Sequence, residues 1–322
     1  MEHLMGYKRF QKYLGTRESK LYQKMDLYLA GTEDMKVYEV EELDNNISDE
    51  DFVKQWREDG APKVFRGVAK DWPAVQKWDL DFFEKNYGNK EVEIMDHVGM
   101  APDQEYEKLY FGDYIRQIKN GSLKYLKFSE IVNENDELKS DFDLQWLRKM
   151  TALPVSWGED LKTFMGIKGT ITPFHIGFSP VLFVNVMGRK KWTLYPPSNR
   201  LFVDARTDRS SYMFSNVNPN HRNDPQFPLY KYAHQYEIIL EPGDVLWFPS
   251  FTWHYVENLT TTIGIRYGRG SMATAWKSSK LLTAMFFMVT KPSIPEHLYN
   301  TYIKKKLVVK DVKPGSAQSA VS

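Results

Sequence analysis

The chemistry-bearing residues of this chain are few. Of seven histidines, His175 and His254 are the two set in strand-like contexts beside turns, His175 within the stretch Thr172-Pro-Phe-His-Ile-Gly-Phe-Ser-Pro180 and His254 after Trp253. Two strands of one β-barrel could bring them together. A pair of neutral imidazoles on rigid strands can hold a divalent metal and still leave coordination positions open. Taken singly, either reads more readily as a satisfied structural histidine on a β-face. With no cysteine in the chain, disulfides, thiolate metal sites and thiol nucleophiles are excluded, and histidine and carboxylate remain as metal ligands. Asn185 interrupts the apolar run VLFVNVM; a buried polar residue there needs a partner, which a bound ligand could provide. Lys190, beside Arg189 and Lys191, reads by itself as a solvated hairpin residue.

The elements that must position these residues follow from periodicity. From Tyr7 to Leu29 apolar and aromatic residues recur at helical spacing before Gly31, which predicts one or two amphipathic helices. Ser48 to Asp51 has the spacing of a helix N-cap before Phe52. A strand is expected at Lys63 to Arg66, a helix at Leu80 to Tyr87 ending at Gly88, and a strand at Glu91 to Ile94. From Tyr110 to Met150 the signals are mixed, with Gly112 and Gly121 breaking the periodicity. After Gly169 the chain turns to short strands rich in Val, Phe, Ile, Tyr and Thr, the pattern of a β-barrel or sandwich. Glu241-Pro-Gly-Asp244 fits a type II turn between two of them.

The expected organisation is a helical segment over 1–36, a β domain over 37–270, a helical segment over 271–309 and a disordered tail over 310–322. The run Leu281 to Val289 is too short to span a bilayer, so this helix is expected to pack on the barrel or against a second copy in a homodimer. Lysine plus arginine number 43 against 42 aspartate plus glutamate. The balance gives no global electrostatic case for nucleic acid or an anionic membrane. The first residues carry no long apolar run or small-residue cleavage site, and the expectation is a cytoplasmic protein. Residues 201–236, with Asp204, Arg206, Asp208, Arg209, His221 and Arg222, could rim a barrel mouth or form a solvated insertion.

Several motifs occur together and in order: Lys63-Val-Phe-Arg-Gly67, Asp71-Trp-Pro-Ala74, Thr172-Pro-Phe-His175, Gly188-Arg-Lys-Lys-Trp192 through Tyr195-Pro-Pro197, Pro242-Gly-Asp-Val-Leu-Trp-Phe-Pro249 and Trp253-His254. In these the sequence resembles the JmjC and cupin-like family of non-haem iron(II), 2-oxoglutarate-dependent oxygenases, over roughly Val37 to Gly268. The resemblance implies a mainly β (α+β) fold, a double-stranded β-helix or jelly roll with helical additions at both ends. It makes His175 and His254 the iron ligands, and Thr172, Lys190 and Asn185 the residues around 2-oxoglutarate.

One position departs from that pattern. The family's hydroxylases carry Asp or Glu two residues after the first histidine; here it is Gly177. Outside the family, glycine or alanine at the equivalent place marks iron and 2-oxoglutarate halogenases, in which a halide replaces the carboxylate. The leading expectation is therefore an enzyme using Fe(II), 2-oxoglutarate and O2, through an iron(IV)-oxo species, to place chloride or bromide on an unactivated carbon of a small-molecule, peptide or protein substrate. The alternatives are a hydroxylase in which water fills the open position, and a binding module that has lost the chemistry.

Overall fold

The computed structural model describes residues 7–32, 35–48, 50–52, 54, 60–94, 106–151, 156–206 and 213–289. In chain order the strands are β1 (Val37–Glu39), β2 (Glu41–Glu42), β3 (Lys63–Phe65), β4 (Glu91–Ile94), β5 (Glu107–Tyr110), β6 (Leu126–Ser129), β7 (Ser156–Gly166) and β8 (Ile171–Ile176). They continue as β9 (Val181–Met187), β10 (Lys190–Tyr195), β11 (Ala205–Arg206), β12 (Met213–Ser215), β13 (Gln235–Leu240), β14 (Val245–Phe248), β15 (Trp253–Asn258) and β16 (Thr262–Ser271). One sheet has the order β1-β13-β10-β15-β8-β12-β11 and the other β2-β3-β14-β9-β16-β7-β6, with β4 and β5 paired apart. Two largely antiparallel sheets whose neighbours are mostly non-consecutive form the jelly roll that the family resemblance implied.

Alternation along single strands builds the layers. On β9, Leu182, Val184 and Val186 enter an outer cluster with Phe83, Phe111 and Trp247, whereas Val181 and Phe183 join an inner cluster with Trp192, Phe248 and Val256. An apolar run such as VLFVNVM is what a strand buried on both faces requires. β15 alternates in the same way, with Trp253 and Tyr255 in a third cluster and Val256 in the inner one.

Two glycines are fixed by the turns that join these strands. Gly243, at φ +90, sits in the Glu241–Asp244 turn, where the Asp244 N–H donates to the Glu241 carbonyl at 3.1 Å. Gly188, at φ +74, lies so near Thr261 that a Cβ would stand 1.9 Å from its carbonyl oxygen.

The flanking helices are α1 (Tyr7–Leu29), α2 (Leu80–Tyr87), α3 (Phe111–Lys119), α4 (Met272–Ser278) and α5 (Lys280–Val289). The N-terminal periodicity resolves as one continuous helix, ended at Gly31 with φ +95. In α5, Leu282 is buried and Met285 packs beside it against the cluster containing Phe251 and Trp253, so this helix lies on the barrel. No helix among the described residues is long and apolar enough to cross a membrane. Residues 310–322, expected as a tail, lie outside the described residues, as do Asp208 and Arg209.

Candidate active site

β8 and β15 are antiparallel neighbours, and their register sets His175 directly opposite His254. The ring centroids are 4.1 Å apart. His175 Nδ1 lies 2.7 Å from the Pro173 carbonyl and His254 Nδ1 lies 2.9 Å from the Thr252 carbonyl. A carbonyl only accepts, so each Nδ1 carries the proton and donates it, and each Nε2 is the unprotonated nitrogen of its ring. Both rings are buried. Burial pulls His254 down to about 4, and burial together with the neighbouring His254 pulls His175 well below the usual imidazole range. Two neutral imidazoles with fixed tautomers result, each oriented by a backbone carbonyl in the manner of metal-binding histidines.

Gly177 follows directly after β8 and borders the same cavity as the two histidines. Nothing stands within 4 Å of where its Cβ would be, and its φ is not in the left-handed region. Neither space nor backbone conformation demands glycine here. No group of three or more His, Asp or Glu side chains able to hold a metal occurs among the described residues. Among the described residues, the candidate donors at this cavity are two imidazoles.

The cavity has a volume of about 230 Å³ and mostly apolar and aromatic walls, among them Phe164, Phe183, Trp192 and Phe248. Thr172 and Lys190 line it as well, and both are buried. Lys190 Nζ donates to Asn258 Oδ1 at 2.6 Å and to Tyr125 Oη at 3.0 Å, and it lies 5.5 Å from the centroids of the Tyr125 and Phe183 rings. All of these partners are neutral. A buried ammonium whose bonding partners among the described residues are neutral is a receptor for an anion, because an unpaired buried charge is costly. The residues present fit iron and a chelating 2-oxoglutarate: two Nε2 lone pairs for the metal and a lysine with a hydroxyl for a carboxylate.

The sequence misses Tyr125 and Asn258. Asn258 was findable, since it lies four residues after His254 on one strand; Tyr125 carries no local signal. Asn185 requires a correction. It does not line the cavity; its Nδ2 donates to the Gly188 carbonyl at 2.6 Å and its main chain bonds to Gly243 and Asp244. Its amide NH2 tethers the β9–β10 hairpin, while its buried Oδ1 has no hydrogen-bond partner among the described residues. The loop after Leu201 is corrected too: Asp204 and Arg206 are buried, and Arg206 pairs with Asp204 and with Glu18 of α1. Arg266 does line the cavity.

The model of the cupin-like domain matches residues 49–272. This chain belongs to the cupin-like family. Similar proteins include JmjC domain-containing protein D of Dictyostelium discoideum, 24% identical over 246 residues, 67% of this chain and 53% of that protein. Jumonji C domain-containing protein 5 of Drosophila melanogaster is 26% identical over 230 residues, 68% of this chain and 57% of that protein. Lysine-specific demethylase JMJ30 of Arabidopsis thaliana is 25% identical over 238 residues, 69% of this chain and 53% of that protein. The cupin-like chain thus spans about half the length of the curated relatives it matches.

Proposed function

We propose that this chain is an iron(II) and 2-oxoglutarate-dependent oxidoreductase acting on an unactivated C–H bond. His175 and His254 hold the metal through Nε2, and Lys190, with Thr172 and Tyr125, holds the far carboxylate of the co-substrate. Bound iron, 2-oxoglutarate and dioxygen together supply the oxidant. The residues of the chain orient these groups and exclude water with the aromatic wall. The observation that carries the reading is the buried Lys190 with neutral partners in the same cavity as two neutral imidazoles. A barrel that had lost its chemistry would have no need of both features.

The open space at Gly177 favours a finer reading, in which a halide completes the metal's ligands and is delivered to the substrate. The relatives whose names specify an activity are demethylases, so oxygen transfer with water at that position is the competing outcome. Anaerobic reconstitution with Fe(II) and 2-oxoglutarate tests the main reading. A visible charge-transfer band that requires both components is expected, and its absence at saturating concentrations would overturn the assignment. Chloride added to the same complex tests the finer reading. A shift of the band and a halogenated product support it; an unchanged band, with only an alcohol formed in excess chloride, leaves oxygen transfer.

A further inference from the structure

Among the described residues, two of the side chains that wall the cavity are cations, Lys190 and Arg266, and none is a carboxylate. Lys190 serves the co-substrate in the reading above, which leaves Arg266 without an assigned task. Arg266 stands on β16, in the sheet facing the one that carries both histidines, and pairs in register with Phe183 of the aromatic wall. Its guanidinium lies over Gly268, where a Cβ would come within 2.5 Å of Nη2. Glycine there gives the flat cation room to lie down.

Asp160 accepts from Arg266 at 2.8 and 3.1 Å, but both bonds come from the single nitrogen Nη1. Among the described residues, the donors on Nε and Nη2 make no further bond, and a guanidinium can grip a second acceptor with that edge. Asp160 is itself 36% exposed, so water screens its charge. Lys162, opposite Arg266 in register, is already paired with Glu130. A third ligand carboxylate beside the metal, which would have offset positive charge, is missing at Gly177.

Taken with the proposed function, on which the word substrate rests, this charge pattern has a direction. We propose that Arg266 is a specificity-determining residue that receives a carboxylate of the substrate, and that the substrate is an anion with an apolar body. The body lies along the aromatic wall and the carboxylate meets Nε and Nη2. A cationic lysine or arginine side chain would enter a cavity lined by two cations and no anion, which opposes it.

Three probes of one shape and different charge test this: hexanoate, hexanamide and hexylamine. They are titrated calorimetrically, without oxygen, into protein loaded with Mn(II) and 2-oxoglutarate. Hexanoate should bind about tenfold or more tightly than hexanamide, the scale of one charge-assisted bond, and hexylamine most weakly. Arg266→Gln should abolish the preference for acid over amide while changing 2-oxoglutarate affinity by less than about twofold. Asp160→Asn, which removes the competing negative charge while an amide oxygen can still accept from Nη1, should enlarge the preference and so tests the idea without removing the arginine. A capped dipeptide of phenylalanine and glutamate, compared with hexanoate, tells a side-chain carboxylate from a free acid; a preference through Arg266 for either upholds the proposal. Failure of hexanoate to bind, equal binding of acid and amide, tighter binding of the amine, or a preference that survives in Arg266→Gln would overturn it. Failure of wild-type protein to bind 2-oxoglutarate would instead sink the iron reading, and the same probes on metal-free protein would still report on Arg266.

Discussion

The backbone N–H of Phe251 donates to the carbonyl of Gly177 at 2.9 Å. Phe251 does so from a left-handed conformation, φ +60, with its ring edge-on to Phe178 at 5.9 Å. The peptide at Gly177 is thus fixed while its Cβ direction stays open. Gly177→Asp should therefore fold with a melting temperature close to wild type, bind Fe(II) at least about tenfold more tightly, and lose any spectral response to chloride. Titration of metal into both proteins checks this, and equal affinities would show that the aspartate does not reach the metal.

Replacing either imidazole should remove stoichiometric metal binding. His175→Ala and His254→Ala each leave one nitrogen donor and no carboxylate. Anaerobic Fe(II) titrations should show weak, non-saturating uptake in both variants, and unchanged affinity in both would remove the pair from the metal site.

Lys190→Ala should weaken 2-oxoglutarate binding by about 2 kcal/mol or more, the scale for losing one side of a charge-assisted bond. Tyr125→Phe removes only one neutral contact to the same ammonium and should cost about 1 kcal/mol. Parallel titrations of the two variants give the ratio. Equal affinities for wild type and Lys190→Ala would place the carboxylate elsewhere.

Acid should destabilise the metal-free protein through its buried imidazoles. Folded His254 takes up its proton only near about 4, whereas an unfolded histidine does so near 6.5. Below 6.5 the unfolded chain binds the proton first, so stability present at neutral pH is lost as pH falls toward 4. The loss from His254 is on the order of 3 kcal/mol, and His175 acts in the same direction. Between pH 7.5 and 5 about 2 kcal/mol of the His254 contribution is lost, which urea midpoints at those two pH values should show, and the difference should shrink in His254→Gln.

The N-terminal helix is tied to the barrel by charge. Arg206 reaches Glu18 Oε2 at 2.8 Å and donates to both oxygens of Asp204, all three groups being largely out of water. Arg206→Ala strands two carboxylates and should cost about 3 kcal/mol or more in urea unfolding, against a smaller loss for Glu18→Ala.

Legibility in the sequence followed the range of the interactions. The strands of the core and the Glu241–Asp244 turn are written in residues a few positions apart, and both histidines with Thr172 and Lys190 fall where ordered motifs place them. Gly112 misled, because it reads as a helix breaker, yet it sits inside α3 with its N–H on the Gly88 carbonyl at 2.9 Å, a close approach of two backbones. Arg206 and Asp204 looked like a solvated charged loop because their partner Glu18 lies at the other end of the chain. Asn185 looked ligand-seeking because the carbonyls that take up its NH2 group come from a hairpin turn and from Leu240 on a neighbouring strand.

Lys190 has a consequence beyond recognition. An ammonium 1% exposed, lodged among aromatic rings and bonded among the described residues to a phenol and an amide, carries a charge that no described carboxylate pairs with. If 2-oxoglutarate is the anion that pairs with it, as proposed, part of the cohesion of the fold is lent by a circulating metabolite. Each tenfold rise in 2-oxoglutarate above its dissociation constant should add about 1.4 kcal/mol to unfolding. In a cell, a fall in that metabolite would then thin the population of intact protein as well as slow its turnover. A melting temperature that stays flat across a wide range of 2-oxoglutarate concentrations would show that the barrel carries the charge unaided.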